Sequence, residues 1–275
     1  MSQFKNYKYL VSGGCSFTAW MWPWVLGKEL DCVIHDYAFS GLSNDVIASS
    51  VVYGVERLLS NGVNANEILV GIMWSGVDRI SFFKQSHTTE ELKNSDKYNM
   101  WKENYSFIIK DDFPINKNID PRFSSDCKDY SFGSYSVQNF SYDTPDALAW
   151  YQNLHDPLGA RITTFEKIVW LQDYLKQKNV DYFMSTFMDS VLEPDKADLS
   201  NAATLYNEGD EIKIPHLEWL KSHIDFDYFL PIRSYHTFFA GQSEYKRHPD
   251  TQENEDLVHK VILPFLSTKY TNTNK

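Results

Sequence analysis

A serine follows the first apolar run of the chain, in the stretch KYLVSGGCSF at residues 8–17. The run at residues 8–13 is short and apolar and ends in glycine, which predicts a buried β-strand. Ser16 therefore lies just past the end of that strand. A serine in this position can act as a nucleophile, and the backbone N–H groups of a glycine-rich turn can hold the oxyanion that forms. The alternative is that the glycines and Ser16 form a simple turn.

A serine nucleophile needs a base, and His248 is the candidate. It precedes Pro249 in the stretch KRHPDTQ, just before the last predicted helix. Proline favours an extended conformation for the residue before it, so His248 is expected in a loop and not inside the helix. In a parallel sheet this last loop opens at the same edge as the turn that holds Ser16. The alternative is a structural or solvated histidine.

The rest of the chain alternates strand and helix patterns, which predicts the fold that must position these two residues. Apolar runs predict strands at residues 8–13, 31–39, 66–76 and 180–187, with a fifth short strand or an irregular segment at 225–232. Apolar residues at helical spacing predict helices at 41–62, 163–179 and 250–266. This order predicts an α/β fold, with a parallel sheet of about five strands covered by helices on both faces.

Two helix starts carry capping residues. Thr163 and Glu166 have the spacing of a capping box, which predicts that the helix at 163–179 begins at Thr163. Asp250 is the predicted N-cap of the last helix.

Two long stretches interrupt the alternation. Residues 84–160 are polar and rich in Tyr, Phe and Trp, and residues 190–220 are acidic and resemble a loop. We interpret both as insertions in a single domain that covers residues 1–275, because loops of this length are usually functional or carry a small structure of their own. The aromatic residues of the first insertion form either a platform for carbohydrate or the core of a small subdomain, and the insertion is expected to cover the mouth of the site.

The composition excludes several classes of function. The formal net charge of −11 argues against a general nucleic-acid binder and against binding to anionic membranes. No apolar run approaches the roughly 18 residues that span a bilayer, and the N-terminus lacks the apolar region of a signal peptide. Three widely spaced cysteines give no disulfide framework, which favours a cytoplasmic protein. No metal-binding, P-loop or dinucleotide motif is present, so neither a metal nor another cofactor is expected.

Four short motifs, in order, resemble those of the SGNH (GDSL-type) hydrolase family. They are GCSF after the first strand, SGLSND after the second, MWSG after the third and HP before the last helix. The resemblance implies a flavodoxin-like three-layer α/β/α fold and a serine esterase that works through an acyl-enzyme. The GCSF opening, the GLSND turn and the Trp-Ser pair look most like divergent phage-encoded or marine bacterial members.

The resemblance also implies roles for residues of this chain. Ser16 matches the nucleophile, and His248 matches the base that takes its proton and later activates water. Gly41 matches the glycine whose N–H helps to hold the oxyanion. The implied substrate is an acyl ester of a glycan or of another small molecule.

The chain departs from the family pattern in the first and third motifs. Cys15 stands where the family has an aspartate, and a small buried residue is the expected role of this thiol. The third motif lacks its asparagine, so Ser75 or Asn44 is expected to donate the second hydrogen bond to the oxyanion. Asn44 can also cap the helix that follows it. Arg79 either pairs with its neighbour Asp78 on the surface or binds an acidic group of the substrate.

A third departure concerns the acid that orients the histidine. Tyr245 occupies the usual place of that acid, three residues before His248, so Glu244 and Asp250 are both candidates. These departures leave open a glycan- or ligand-binding protein on the same fold that has no catalytic turnover. An acyltransferase would use the same residues as an esterase, and a structural component of a larger assembly is a further alternative.

Overall fold

The computed structural model describes residues 5–19, 21–38, 41–77, 79, 81–85, 131–132, 135–139, 153–192, 215–232, 234–239 and 249–270. The strands are β1 (Tyr9–Gly13), β2 (Val33–Asp36), β3 (Ile68–Trp74), β4 (Ser81–Gln85), β5 (Ser131–Phe132), β6 (Tyr135–Asn139) and β7 (Asp181–Thr186). The helices are α1 (Trp22–Leu30), α2 (Asn44–Ser60), α3 (Pro157–Gln177), α4 (Pro215–His223), α5 (Tyr235–Phe239), α6 (Thr251–Leu257) and α7 (Leu263–Lys269). A π-helical turn at Val258–Ile262 joins α6 to α7.

Four strands form the parallel sheet, in the order β2-β1-β3-β7. Strand β3 is buried along its whole length, as its continuous apolar sequence predicts for a strand covered on both faces. The predicted fifth strand is reduced to a single bridge, in which the N–H of Leu230 donates to the carbonyl of Met184 at 2.8 Å. Pro231 follows at once and has no N–H to extend the ladder.

Helices cover both faces of the sheet, so the predicted three-layer α/β/α architecture is confirmed. One face packs against α2, α3 and α4 through a core that includes Val51, Phe165, Ile168 and Leu220. The other face packs against α1, α5 and the C-terminal helices through Leu26, Phe183, Tyr235 and Val258. The strand order is that of flavodoxin-like sheets.

Helix α1 was not predicted from the sequence. Pro23 lies in its first turn, where a missing N–H costs nothing. Its buried face includes Trp22 and Leu26, and the Trp22 ring centroid lies 5.5 Å from that of Phe183. The helix contains two tryptophans and a glycine, residues of low helix propensity, so its composition does not predict a helix.

The predicted start of the longest helix was wrong. Helix α3 begins at Pro157, and Asp156 is its N-cap, accepting hydrogen bonds from the N–H groups of Leu158 at 3.3 Å and Gly159 at 2.9 Å. Thr163 therefore lies inside the helix. The prediction for Asp250 is confirmed, since its carboxylate accepts from the N–H of Glu253 at 2.9 Å.

Both predicted insertions contain regular structure. Strands β4, β6 and β5 form a small antiparallel sheet, two strands of which lie within residues 84–160. Helix α4 occupies the end of the stretch at 190–220 that was expected to be a loop. Within the described ranges, no helix is both long enough and apolar enough to cross a bilayer.

Gly13 and Gly14 provide space for neighbouring groups. In the described part of the chain, the glycines with positive φ are Gly41 and Gly62, so the glycine-rich turn after β1 does not depend on a left-handed backbone at Gly13 or Gly14. A Cβ on Gly13 would lie 2.4 Å from Cγ2 of Val51 in α2, and one on Gly14 would lie 2.1 Å from Oγ1 of Thr18. The glycines let α2 and the turn after β1 pack closely against the end of that strand.

We expect Gly13→Ala to lower the free energy of unfolding by about 1–3 kcal/mol, the usual cost of overpacking. Val51 is β-branched and sits in a helix, so its χ1 cannot rotate freely to relieve the clash. In a Val51→Ala background the clashing methyl is absent, and the same glycine substitution should cost much less. Urea denaturation of the four proteins of this double-mutant cycle measures the coupling, and strictly additive effects would contradict the close approach.

Candidate active site at the carboxyl edge of the sheet

The order in which the chain adds strands to the sheet reverses at β1, so a topological switch point lies between β1 and β3. Strand β2 lies on one side of β1, whereas β3 and β7 lie on the other. In open parallel sheets, ligands bind at the carboxyl ends of the strands that flank this switch point. The turn after Gly13 and the turn after Trp74 therefore border the crevice in which a ligand is expected.

Ser16 lies in the first of these turns. The carbonyl of Cys15 accepts from the N–H of Thr18 at 2.9 Å and from that of Ala19 at 3.0 Å, which closes a single helical turn around Ser16. Neither the N–H nor the hydroxyl of Ser16 has a hydrogen-bond partner among the described residues. Ser16 is 7% exposed and the preceding thiol of Cys15 is fully buried, as expected for a small packing residue. Both polar groups of Ser16 therefore lack a hydrogen-bond partner in the part of the chain that the structure describes.

Gly41 lies in the turn between β2 and α2 and has a φ of 81°, a conformation that favours glycine. Its N–H also has no partner in the part of the chain that the structure describes. Because β2 is the neighbour of β1, this N–H belongs to the same edge as Ser16.

Asn44 is the first residue of α2 and is 4% exposed. Its Oδ1 accepts from the N–H of Ser75 at 2.8 Å, and its Nδ2 donates to the carbonyl of Ser75 and to Oγ1 of Thr164, each at 3.1 Å. Both hydrogens of the amide are therefore engaged within the protein. The hydroxyl of Ser75 is fully buried and has no partner among the described residues.

Aromatic side chains line the edge beside Ser16. The ring centroid of Phe17 lies 4.1 Å from that of Phe187 and 6.0 Å from that of Tyr235. The guanidinium of Arg79 lies over the Phe187 ring, 5.8 Å from its centroid. Nη1 of Arg79 is buried and has no partner among the described residues. Arg79 therefore lies on the same side of the sheet edge as Ser16, and the rings of Phe17 and Phe187 lie between them.

The start of α6 is hydrogen-bonded to Tyr235, one of these aromatic residues. The hydroxyl of Tyr235 donates to Oδ1 of Asn254 at 2.9 Å, and Nδ2 of Asn254 donates to the carbonyl of Asp250 at 2.8 Å. Burial, together with the nearby Glu253 carboxylate, raises the pKa of Tyr235 well above its ordinary value, so the hydroxyl keeps its proton. The first turn of α6 is therefore bound to Tyr235, whose ring lies beside Phe17. His248 and Glu244 themselves lie outside the described residues.

A second histidine, His236, lies at this edge and was not singled out from the sequence. Its backbone N–H donates to the carbonyl of Phe187 at 3.0 Å, and its ring centroid lies 6.1 Å from that of Phe187. Burial lowers the pKa of His236, and the charge of Asp189 opposes that shift in part. The imidazole is therefore neutral at pH 7. No motif surrounds His236 in the sequence, so only the fold brings it to the edge.

Comparisons of the chain with protein-family models, with curated proteins and with solved structures gave no match. In the described ranges, no group of three or more His, Cys, Asp or Glu side chains is arranged to hold a metal ion. Chemistry at this edge is therefore inferred from its own residues.

We expect Asn44→Ala to lower the free energy of unfolding by about 2–4 kcal/mol, because it leaves the buried N–H and carbonyl of Ser75 unpaired. Thr164→Val is the comparison variant, since it removes the acceptor of the remaining bond and should cost only about 1 kcal/mol. Urea denaturation followed by circular dichroism measures both. Equal losses in the two variants would contradict a special role for the Asn44–Ser75 pair.

We expect His236 to make the protein less stable at acidic pH. Because the folded-state pKa is below the ordinary value, the unfolded chain binds more protons as the pH falls through about 6.5, and protonation favours unfolding. The stability of the wild type should therefore fall between about pH 7.5 and pH 5.5, and that of His236→Gln should fall less steeply. Urea denaturation across this range is the measurement, and identical pH profiles would contradict the burial of a neutral imidazole.

Proposed function

We propose that the protein hydrolyses an acyl ester through an acyl-enzyme on Ser16. One observation carries the proposal: Ser16 follows the central strand at the switch point, with its hydroxyl and its N–H both without a described partner. This is the position in a parallel sheet where a ligand is bound, and serine is the residue type there that can act as a nucleophile. The resemblance of the GCSF, SGLSND and HP motifs to SGNH hydrolases supports the same assignment.

The reaction begins with attack of the Ser16 hydroxyl on the ester carbonyl. His248 takes the proton as the new C–O bond forms, and the N–H groups of Ser16 and Gly41 hold the oxyanion. Collapse of this intermediate breaks the bond to the leaving alcohol, which receives the proton from His248. Water then attacks the acyl-enzyme with His248 as base, and this step releases the acid and restores Ser16.

The proposal for His248 is supported by the anchoring of the residues that follow it. Tyr235 contacts Phe17, the neighbour of Ser16, and binds Asn254, which in turn holds the carbonyl of Asp250. The first turn of α6, which begins three residues after His248, is thereby connected through Tyr235 to the neighbour of Ser16. Glu244 or Asp250 would orient the imidazole, and the side chain of Asp250 is already engaged in capping α6.

Asn44 takes a different role from the expected one in this scheme. Both hydrogens of its amide are engaged, so we assign it as a positioning residue that holds the start of α2, and hence Gly41, relative to β3. The oxyanion is then held by backbone N–H groups alone. Arg79, whose Nη1 lacks a described partner, would bind an anionic or carbonyl oxygen of the substrate.

A ligand-binding protein without catalytic turnover is the second candidate. The engagement of Asn44 within the protein favours it, because removing the side-chain donor weakens the stabilisation of an oxyanion. Under this alternative Ser16 would bind a ligand but would not react.

A fluorophosphonate probe distinguishes the two candidates, because it forms a covalent adduct only with an activated serine. We expect one adduct on the wild type by intact mass, none on Ser16→Ala, and labelling at least about 100-fold slower for His248→Ala, a typical effect of removing a general base. His236→Ala is the matched control, and it should label at nearly the wild-type rate.

Two results would contradict the assignment. The absence of any adduct on folded wild-type protein would favour the ligand-binding alternative. Slow labelling of His236→Ala with fast labelling of His248→Ala would assign the base to His236. Circular dichroism of each variant shows that loss of labelling does not reflect unfolding.

A further inference from the structure

Arg79 follows β3 and lies at the carboxyl edge of the sheet. Its backbone N–H donates to the carbonyl of Gly76 at 3.3 Å, which turns the chain back shortly after β3 ends. Its Cζ lies 5.8 Å from the ring centroid of Phe187. The N–H of Phe187 donates to the carbonyl of Trp74, the last residue of β3, at 2.8 Å. The ring that contacts the guanidinium is therefore fixed to the end of the sheet.

The guanidinium of Arg79 forms no ion pair in the part of the chain that the structure describes. This distinguishes it from most of the lysines whose side chains are described. Those that pair with a carboxylate are Lys5, Lys8, Lys167, Lys176, Lys178, Lys260 and Lys269. A partly buried charge without a partner is costly, so an anion that binds Arg79 would remove a cost that the free protein bears.

The three nitrogen atoms of this guanidinium differ in their access to solvent. Nη1 is closed to solvent and has no hydrogen-bond partner. Nε and Nη2 are not closed, and neither of them has a partner among the described residues. These two atoms form the side-on edge of the guanidinium, whose parallel N–H groups match the two oxygens of a carboxylate. The open edge of Arg79 therefore suits a carboxylate.

Two aromatic rings lie between Arg79 and Ser16. The ring centroid of Phe187 lies 4.1 Å from that of Phe17, the residue after Ser16, and both side chains are half-buried. An ester whose carbonyl lies at Ser16 would extend along these rings toward the guanidinium. An apolar spacer suits that path, since ligand sites combine apolar walls with a few polar groups that fix orientation.

The neighbouring charges favour a ligand with a single negative charge. Asp189, two residues after Phe187, adds a carboxylate, which accepts from the hydroxyl of Thr237 at 2.7 Å. His236 adds no positive charge at pH 7, because burial lowers its pKa. The one positive charge of Arg79 balances a monoanion such as a carboxylate, whereas a phosphate dianion would leave an excess of negative charge.

We propose that the substrate ester also carries a carboxylate, which Arg79 binds through Nε and Nη2 while the ester carbonyl lies at Ser16. That this ligand is a substrate rests on the proposed esterase function, whereas the binding of a carboxylate by Arg79 does not. The apolar spacer between the two groups packs against Phe17 and Phe187. Arg79 thereby selects an ester with a carboxylate over a neutral ester of similar shape.

The test measures binding to Ser16→Ala by saturation-transfer NMR titration, because this variant lacks the proposed nucleophile and leaves the ligands intact. The ligands are monomethyl succinate, monomethyl glutarate and monomethyl adipate, each compared with its neutral dimethyl ester. We expect at least one monoester to bind about 10- to 100-fold more tightly than its diester, the effect of charge-assisted hydrogen bonds. Adding Arg79→Gln should abolish this preference, and Arg79→Lys should retain only part of it, because an ammonium group cannot bind side-on.

Lys28→Gln is the matched control. Lys28 is another cation without an ion pair among the described residues. It lies in the last turn of α1, just before β2 begins, and therefore at the opposite edge of the sheet. Its replacement should leave the preference for the monoester unchanged. The comparison of monoester with diester needs no Arg79 variant, so it tests the proposal even if Arg79→Gln does not fold.

The outcomes separate this proposal from the esterase proposal. Selective binding of a monoester that Arg79→Gln abolishes, in a protein that the fluorophosphonate fails to label, would overturn the esterase function alone. Labelling of Ser16, together with equal affinities for the monoesters and their diesters, would overturn the carboxylate assignment alone. A preference that survives in folded Arg79→Gln, or tighter binding of ethyl phosphate than of every monoester, would also overturn it.

Discussion

The carboxamide of Asn44 makes the contact on which the geometry of the candidate site depends. Strand β3 ends at Trp74, and the next main-chain N–H and carbonyl, those of Ser75, find both partners on this one side chain. An asparagine can do this because its amide presents a donor and an acceptor side by side, as a peptide group does. The contact fixes the start of α2 against the end of β3. It thereby directs the positive end of the α2 dipole, and the turn at Gly41, toward the switch point.

The sequence predicts the layered fold because its long elements carry periodic apolar patterns. Strand β3 reads as a continuous apolar run and is buried throughout. The predictions were wrong for the start of α3 and for α1, whose positions depend on a capping residue or on tertiary burial. Helix α3 begins nearly two turns before Thr163 because Asp156, in a polar part of the sequence, is its N-cap. Helix α1 forms because Trp22 and Leu26 are buried against the sheet. Both depend on local caps or tertiary burial that outweigh weak propensity.

The candidate site is predictable from the sequence to the extent that strand ends are predictable. Ser16, Gly41 and Ser75 follow three neighbouring strands, so the rule for parallel sheets places them at one edge. The partners of Asn44 are not predictable in this way, because Thr164 is 120 residues distant in the chain. His236 was missed for the same reason, since a short helix with no motif around it is brought to the edge only by tertiary packing.

Because Ser16 is buried, the proposed chemistry benefits from binding interactions with the part of the ligand that does not react. At 7% exposure, and beside the rings of Phe17, Phe187 and Tyr235, the hydroxyl lies in surroundings of low polarity. Hydrogen bonds to a developing oxyanion are stronger there than in water, but a polar ester gives up its hydration to enter. Binding of the part of the ligand that does not react can offset that cost.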